Sequence, residues 1–375
     1  MRQTPVSLLL MILSLMSLPA KAQEQQINAI TTAAPFLLIV PDARAGGMGD
    51  VGVATSPDAN ATHHNPSKIV FSDRQFSIGV NFTPWMRQLV NDVYLGGFSV
   101  TNVLNERSAW SASFKYFTVG EIQLTDDTGQ EIGVEKPHEL SFDGTYALKL
   151  SEDFSLGVSL RYIRSDFALK ISNSNIHTVN TFGVDISGYY NSPEMNFGDF
   201  DGVIRGGFNI SNIGPKVNYT DGGRESFIPT NMKLGAGFDF LLDEYNTVGI
   251  TLETNKLLVP TPQPDHSESD MGFMEGIFSS FGDAPGGGKE EWQEFTWAVG
   301  TEYDYDNVFA VRAGYFHESE YKGGRQYFTL GLGVAFKATQ VDLSYLFNAS
   351  DINNPLENTL RFSLTFDLGE EYAMY

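Results

Sequence analysis

The feature of this sequence that most limits its fold is a hydrophobic period of two, which recurs from residue 75 to the C-terminus. In residues 360–368 Leu and Phe alternate with Arg, Ser, Thr and Asp, and residues 232–240 follow the same rule. Such alternation is typical of β-strands whose two faces meet different surroundings. The pattern predicts fourteen strands, at residues 75–83, 90–101, 108–119, 138–149, 154–164, 179–190, 203–211, 230–241, 245–255, 294–304, 308–317, 326–336, 339–348 and 358–368.

The connections between these strands alternate in length. Counting back from the C-terminus, every second connection is a tight turn, at residues 337–340, 304–307, 242–245 and 150–153. The connections between them are longer, at residues 348–357, 317–325, 256–293, 212–229, 165–177 and 120–137. Residues 191–202 are longer than this rule predicts, and residues 84–89 are shorter. A soluble β-sandwich has no reason to sort its loops in this way, whereas outer-membrane barrels combine short periplasmic turns with long extracellular loops.

Strand length and strand number favour the same architecture. Most predicted strands have the roughly nine to eleven residues that a tilted strand needs to cross a membrane, and an even number suits a closed barrel. After Val40 no apolar run reaches the length of a membrane-spanning helix. The sequence therefore predicts an all-β protein, a 14-stranded antiparallel transmembrane β-barrel over residues 75–375, with its apolar face toward lipid and its polar face toward the lumen.

The N-terminus predicts export. Arg2 precedes an apolar stretch of about a dozen residues, which is too short for a membrane-spanning helix, and Ala20-Lys21-Ala22 is a small-x-small cleavage site. We expect residues 1–22 to be a signal peptide, with an uncleaved anchor as the alternative. The chain contains no Cys, so neither lipid attachment through a cysteine nor a disulfide framework is expected. The predicted location is the outer membrane.

Charge and motif content exclude several classes of function. The net charge is −22, and the predicted cleavage also removes two basic residues. Nucleic acid is therefore not an expected partner, because its binding needs Lys and Arg to neutralise phosphates. The adjacent His63 and His64 have no third ligand at suitable spacing, and no Gly-x-Ser-x-Gly motif is present. The sequence thus predicts no metal, no cofactor and no catalytic residue.

Residues 23–74 lack sustained alternation and carry a glycine cluster between Arg44 and Gly52. A fourteen-stranded lumen is wide enough to need filling, so we expect this segment to be a plug, or hatch. Glycines there permit tight turns and close packing, and a phosphate loop is disfavoured because no Lys-Ser/Thr ending follows. A fixed plug and a moving gate both remain open. The residues expected to build the plug are Arg44, Gly46, Gly47, Met48, Gly49, Asn65 and Pro66.

The connection at residues 256–293 is expected to be a long extracellular loop. It begins with a Pro-rich polar stretch and then becomes apolar at a helical spacing, which predicts a short amphipathic helix ended by residues 283–288. Exposed apolar surface outside the membrane is costly unless something covers it. The helix either folds back over its own barrel mouth or docks a partner. The candidate partner-binding residues are Met271, Phe273, Met274, Ile277, Phe278 and Phe281.

The glycine cluster, followed by Asn65-Pro66-Ser67, resembles the hatch of the FadL-type barrels, which carry a glycine-rich segment and then Asn-Pro-Ala. Here Ser67 stands at the third position of that motif. FadL-like proteins have fourteen strands and an N-terminal hatch. Within that superfamily the whole mature chain resembles the PorV (LptO) family of the type IX secretion system of Bacteroidetes. The more specific likeness lies in residues 41–54, 82–85 and 277–287.

This resemblance implies a non-enzymatic outer-membrane protein in contact with outer-membrane lipid. It implies binding of the C-terminal signal domains of secreted cargo at the giant translocon barrel, and delivery of that cargo to the surface attachment complex, which acts as signal peptidase. The wider FadL superfamily implies an alternative, a channel for hydrophobic small molecules. Charged residues expected in the lumen argue against an apolar route for such molecules, namely Lys233, Asp239, Glu253, Arg312, Arg361 and Asp367.

Overall fold

A computed structural model describes residues 27–85, 92–125, 128–167, 176–198, 200–350 and 357–371. The predicted signal peptide lies outside this part of the chain. Fourteen strands form one antiparallel sheet that closes on itself, because the first barrel strand pairs with the last. The barrel strands are β1 (Arg74–Pro84), β2 (Tyr94–Asn105), β3 (Ser108–Thr118), β6 (His138–Lys149), β7 (Phe154–Asp166), β8 (Val179–Asn191), β10 (Asp201–Ile213), β11 (Asn231–Leu241), β12 (Asn246–Leu257), β13 (Thr296–Tyr305), β14 (Phe309–His317), β15 (Gln326–Phe336), β16 (Thr339–Asn348) and β17 (Leu360–Glu371).

The predicted fourteen-stranded barrel is confirmed. Strands β6, β15 and β16 have the predicted bounds, and most of the others differ by one or two residues at an end. The largest difference is at β2, which starts at Tyr94, four residues later than predicted. Residues 86–91, which precede it, lie outside the described part of the chain.

The barrel is apolar outside and polar inside. In β6 the outward Phe142 is 54% exposed, whereas its lumenal neighbour Ser141 is fully buried. The same contrast holds along β15, where Leu330 and Leu332 are exposed and Thr329 is buried. A protein that buried its apolar faces between two sheets would show the opposite. The alternation in the sequence therefore separates a lipid-facing wall from a lumen.

Aromatic side chains gather near both ends of the outer wall. At one end Tyr315 contacts Trp297 and Phe328, with ring centroids 5.5 and 4.8 Å apart. At the other end Phe200 contacts Phe240, with ring centroids 5.3 Å apart. Such belts are typical of the two interfaces between a membrane and water.

The two ends of the barrel differ in their connections. At the short-turn end most connections have two to four residues, and the longer one contains the two-residue strand β9 (Met195–Asn196), which pairs with β10. At the long-loop end, β4 (Ile122–Thr125) and β5 (Glu131–Glu135) form a separate hairpin.

The α-helices are short. Helix α1 (Ala43–Gly46) lies before the barrel strands in the sequence, and α2 (Phe273–Ser279) and α3 (Gly288–Gln293) lie between β12 and β13. Among the described residues, no helix has both the length and the hydropathy that a membrane crossing requires.

Replacing Leu330 with Arg tests the assignment of the outer wall. Leu330 lies near the middle of β15, and Phe336 ends the same strand at the short-turn end. We expect Leu330→Arg to lower the unfolding free energy by about 2–4 kcal/mol and Phe336→Arg by about 1 kcal/mol or less, because the cost of a lipid-facing charge falls toward the interface. Guanidinium titration in lipid vesicles measures both. Equal costs at the two positions would contradict a membrane-spanning β15.

Candidate functional site

The chain before β1 runs through the lumen from one end to the other. Its N-terminal segment (residues 27–33) lies at the long-loop end, where the amide of Asn28 donates to the carbonyl of Tyr321 at 3.0 Å. The plug (residues 34–73) then contains α1 and three 3-10 helices, Pro35–Leu38, Ala61–His63 and Pro66–Phe71. It leads into β1 at Arg74, at the short-turn end. An N-terminal plug of this kind was expected, and its bounds at residues 23–74 stay a prediction.

Arg44 of the plug makes the most extensive charged contact with the wall. Its guanidinium donates to both carboxylate oxygens of Glu302, at 3.0 and 2.7 Å, and to Asp58 within the plug at 2.8 Å. Glu302 also accepts from Arg312 at 2.5 Å, and Arg312 donates to Asp342 at 2.6 Å. Paired charges of this kind are tolerated away from water because each is neutralised and hydrogen-bonded. The Arg44 network joins the plug to β13, β14 and β16.

Two further carboxylates hold the middle of the plug. Asp50 accepts hydrogen bonds from Arg361 of β17 and from the hydroxyl of Tyr327 at 2.7 Å. Glu253 of β12 accepts from the plug amides of Gly52 and Val53 at 2.7 and 2.9 Å. The middle of the plug is thus bonded to β12, β15 and β17 of the wall.

The plug also has its own buried polar contacts. Asp42 caps α1 by accepting from the amide of Ala45 at 2.8 Å, and its other oxygen lies 2.5 Å from Nε2 of His64. Burial opposes ionisation of Asp42, yet His64 and the Ala45 amide hold its pKa well below the ordinary value. Burial lowers the pKa of Lys68 to about 8, and its ammonium donates to the carbonyl of Gly52 at 2.8 Å.

Two glycines of the plug lie where a side chain does not fit. A Cβ at Gly47 would be 2.8 Å from the Cα of Gly331 in β15, and one at Gly49 would be 2.9 Å from the backbone of Tyr315. Gly49 also has a φ of +71°, which favours glycine. A Cβ at Gly46 would instead meet the side chains of Arg361 and Ser344, which can move. The cluster therefore serves close contact between plug and wall.

The Asn65-Pro66-Ser67 motif anchors the second half of the plug. The side-chain amide of Asn65 donates to the carbonyls of Val53 at 2.8 Å and Gly188 at 3.0 Å, so it joins two parts of the plug to β8. Pro66 occupies the first turn of the 3-10 helix, where its missing N–H costs nothing. The hydroxyl of Ser67 donates to Asn65 at 2.6 Å, so the departure from Ala at this position adds a buried hydrogen bond.

The plug lies between two cavities. The cavity toward the long-loop end has a volume of about 510 Å³ and is lined by apolar and charged side chains, among them Ile30, Leu38, Lys233, Leu257, Phe316 and Lys322. The cavity toward the short-turn end has a volume of about 430 Å³ and is lined mainly by polar groups, among them Arg44, Asp58, Asp239, Glu302, Asp342 and Asp367. In the part of the chain that the structure describes, no three potential metal-ligating side chains form a cluster.

The loop at residues 258–295, the predicted connection 256–293, carries α2 and α3 at the long-loop end. Of the six candidate partner-binding residues, Met274, Phe278 and Phe281 are exposed, and Phe278 most strongly at 71%. The other three, Met271, Phe273 and Ile277, are half-buried. The helix is shorter than its spacing predicted, since Met271 and Phe281 lie outside α2.

Sequence reasoning missed Trp292, which is 76% exposed on α3. It lies in a charged stretch, Lys289-Glu290-Glu291-Trp292, where no apolar period marks it. We define the exposed apolar surface of the loop as Met274, Phe278, Phe281 and Trp292. The one signal for Trp292 in the sequence is the presence of a Trp in a loop that is expected to lie outside the membrane.

A buried group of charges lies beneath this loop. The ammonium of Lys256, at the end of β12, donates to Glu294 at 2.5 Å and to Glu291 at 3.3 Å. The ammonium of Lys322 donates to Glu290 at 2.6 Å and to Glu294 at 3.0 Å. These five side chains come from three separate parts of the chain, so no local pattern in the sequence identifies them.

Comparison with protein-family models identifies the family. The model described as "Type IX secretion system protein PorV" matches residues 21–264, which is more than half of the chain. The chain belongs to the PorV family. The resemblance of its glycine cluster and barrel to that family is therefore confirmed. With fourteen membrane-crossing strands, this PorV-family protein is an outer-membrane, multi-pass β-barrel.

One solved structure supports the FadL-like fold. The chain is similar to the toluene transporter TodX of P. putida, with a TM-score of 0.53 and 11% sequence identity, over 89% of this chain and 99% of TodX. It is also similar to a FadL homologue of Pseudomonas aeruginosa, with a TM-score of 0.45 and 12% identity, over 91% of this chain and 100% of that one. At such identities the likeness to TodX concerns the fold alone. No curated protein matches the chain.

Replacing Glu302 with Ala tests how firmly the plug is held. The change leaves the cations Arg44 and Arg312 without this shared carboxylate, and removing one partner of a buried ion pair costs about 3–5 kcal/mol. We expect a plug that opens and a rise in single-channel conductance across planar bilayers. Glu121→Ala is the control, since Glu121 pairs with Lys136 on the surface at 2.6 Å. Conductance as low as that of the control would contradict this account of the plug.

Acidification tests the burial of His63 in the plug. Burial, with nearby Lys115, holds the pKa of His63 well below its ordinary 6.5, and its Nε2 atom is buried without a partner among the described residues. Below about pH 6.5 the unfolded state therefore binds a proton that the folded state does not. The free energy of unfolding then decreases as the pH is lowered, by at most about 1.4 kcal/mol per pH unit. We expect the thermal midpoint in detergent to fall between about pH 7 and pH 5.

His63→Gln is expected to reduce that pH dependence, because glutamine does not titrate. His177→Gln serves as the control, since His177 is exposed. A thermal midpoint with the same pH dependence in wild type and His63→Gln would show that another group is responsible.

Proposed function

We propose that this PorV-family protein is a non-enzymatic docking component of type IX secretion. It binds the C-terminal signal domain of exported cargo at the giant translocon barrel and passes the cargo to the surface attachment complex that removes the signal. The observation that carries this proposal is the exposed apolar surface of the loop, formed by Met274, Phe278, Phe281 and Trp292. These side chains belong to a long loop beyond the barrel strands, where acyl chains do not cover them.

Such a surface favours protein recognition. Aromatic and Met side chains are enriched at protein interfaces, and Met adapts to irregular partners. Two exposed carboxylates, Asp270 and Glu275, border the apolar surface. A partner with an apolar groove bordered by Lys or Arg would complement both features.

The contacts of the plug argue that the protein acts through its surface. The lumen is occupied by a segment bonded to β12, β13 and β17 through buried carboxylates and arginines. A cargo protein does not fit through a lumen filled in this way. The proposed role therefore places cargo outside the barrel, at its long-loop end.

A second candidate is a channel for hydrophobic small molecules. The cavity of about 510 Å³ below the long loops favours it, because apolar side chains such as Leu38, Leu257 and Phe316 line part of its wall. The same cavity contains Lys233, Lys322 and Arg325, each paired with a carboxylate. Those charges make it a poor path for an alkyl chain. Purification of the protein with a bound hydrophobic small molecule, and without secretion partners, would favour the channel.

The double variant Met274→Asp/Phe278→Asp tests docking. The full-length tagged protein is purified from the outer membrane in mild detergent, and the co-purifying proteins are identified and quantified by mass spectrometry. We expect the wild type to retain a very large translocon barrel and cargo with intact C-terminal signal domains. The variant should lose about tenfold or more of both, because buried aromatic anchors are worth about 2 kcal/mol or more each.

Ile132→Asp is the matched control, because Ile132 is an equally exposed apolar residue on the β4–β5 hairpin at the same end of the barrel. It should leave the co-purification unchanged. Retention of both partners by the double variant would show that docking uses a different surface.

A further inference from the structure

The N-terminal segment at residues 27–33 contacts three of the long loops. The amide of Ala33 donates to the carbonyl of Phe227 at 2.8 Å, in the loop at residues 214–230. The amide of Asn28 donates to Tyr321, in the loop at residues 318–325. The side-chain amide of Asn28 donates to Glu290 at 3.0 Å and to the carbonyl of Pro262 at 3.3 Å, both in the loop at residues 258–295. One short stretch of chain thus joins three loops that are far apart in the sequence.

The contact with Phe227 supports α2. Gly276 of α2 is buried against the ring of Phe227, so closely that a Cβ there would lie 2.6 Å from that ring and 3.0 Å from Pro260. The ammonium of Lys216 lies over the same ring, 5.0 Å from its centroid, and donates to the carbonyl of Met271 at 3.1 Å. The helix that presents Phe278 therefore rests on a residue whose backbone is bonded to the N-terminal segment.

The contact with Glu290 supports α3. One carboxylate oxygen of Glu290 accepts from both Asn28 and Lys322, and the other accepts from the amide of Gly286 at 2.7 Å. Glu290 therefore fixes the start of α3, which carries Trp292. Hydrogen bonds to a charged acceptor that is shielded from water are among the stronger ones in proteins.

We propose that the N-terminal segment is a positioning element of the docking surface, with Asn28 as its main positioning residue. It holds α2 and α3 in the arrangement that presents Met274, Phe278, Phe281 and Trp292 together. The use of this surface for docking rests on the proposed function, whereas the ordering of the loop by Asn28 does not. Fixing the surface before binding lowers the entropic cost of association. The N-terminal segment leads directly into the plug, so in this view it links the plug to the loops that carry the docking surface.

Asn28→Asp tests the proposal in the full-length protein in detergent. The change keeps the shape of the side chain, removes both amide donors and brings a second carboxylate beside Glu290. We expect backbone amides of residues 273–293 to exchange with deuterium about tenfold faster, which is the effect of losing about 1.4 kcal/mol of local stability. The exchange of the barrel strands should not change. Asn28→Ala, which adds no charge, should have a smaller effect in the same direction.

Two further variants make the result specific. Asn28→Asp combined with Glu290→Gln exchanges the donor and the acceptor, so it should restore slow exchange in part. Asn105→Asp makes the same chemical change at the short-turn end, where the side chain accepts from the amide of Arg107 at 3.0 Å, and should leave the loop unaffected.

The readouts separate this inference from the proposed function. Unchanged loop exchange in both Asn28 variants would overturn the positioning role. The Asn28 variants could instead show faster loop exchange and still retain the translocon barrel and cargo. If Met274→Asp/Phe278→Asp loses both partners, that result would overturn the link between loop order and docking. If the wild type itself retains neither partner, the proposed function fails, and the exchange data still decide whether Asn28 orders the loop.

Discussion

The structure depends on one constraint, namely that a backbone in lipid must satisfy all its hydrogen bonds internally. The antiparallel pairing of β1 with β17 closes the ladder and removes the edges that lipid does not tolerate. Closure then dictates where each side chain goes, since alternate residues must face acyl chains or the lumen. A lumen lined with Ser, Thr, Arg and Glu is a consequence, and it provides the polar wall that a polar plug requires.

The plug uses that wall in a particular way. Contacts made by Arg44, Asp50 and Glu253 join a stretch of about ten plug residues to β12, β13, β15 and β17. Buried ion pairs add little net stability compared with apolar packing, but they penalise a displaced partner heavily. We therefore interpret the network as a device that sets the position of the plug. The close glycine contacts at Gly47 and Gly49 have the same effect through shape.

The long-loop end of the barrel carries the exposed apolar surface of the loop at residues 258–295. Helix α3, which carries the exposed Trp292, is held by ion pairs of Lys256 and Lys322 with Glu290, Glu291 and Glu294. In the function proposed here, this apolar surface is the part of the protein that docks secretion partners. The N-terminal segment connects that surface to the plug. The proposed docking would thus use a surface formed before binding, and it would not require the lumen to open.

The sequence by itself determined the barrel, the number of strands, the alternation of loop lengths and the location of the plug. These properties are local, because a period of two and a turn can be read from neighbouring residues. The sequence also predicted an apolar helix in the loop that contains Phe278, but that predicted helix was longer than α2. Only the tertiary structure decided which charges meet, as Arg44 with Glu302, and that Asn28 contacts Glu290 on the helix that carries Trp292. The partners in those contacts lie tens to hundreds of residues apart, and closure of the barrel is what brings them together.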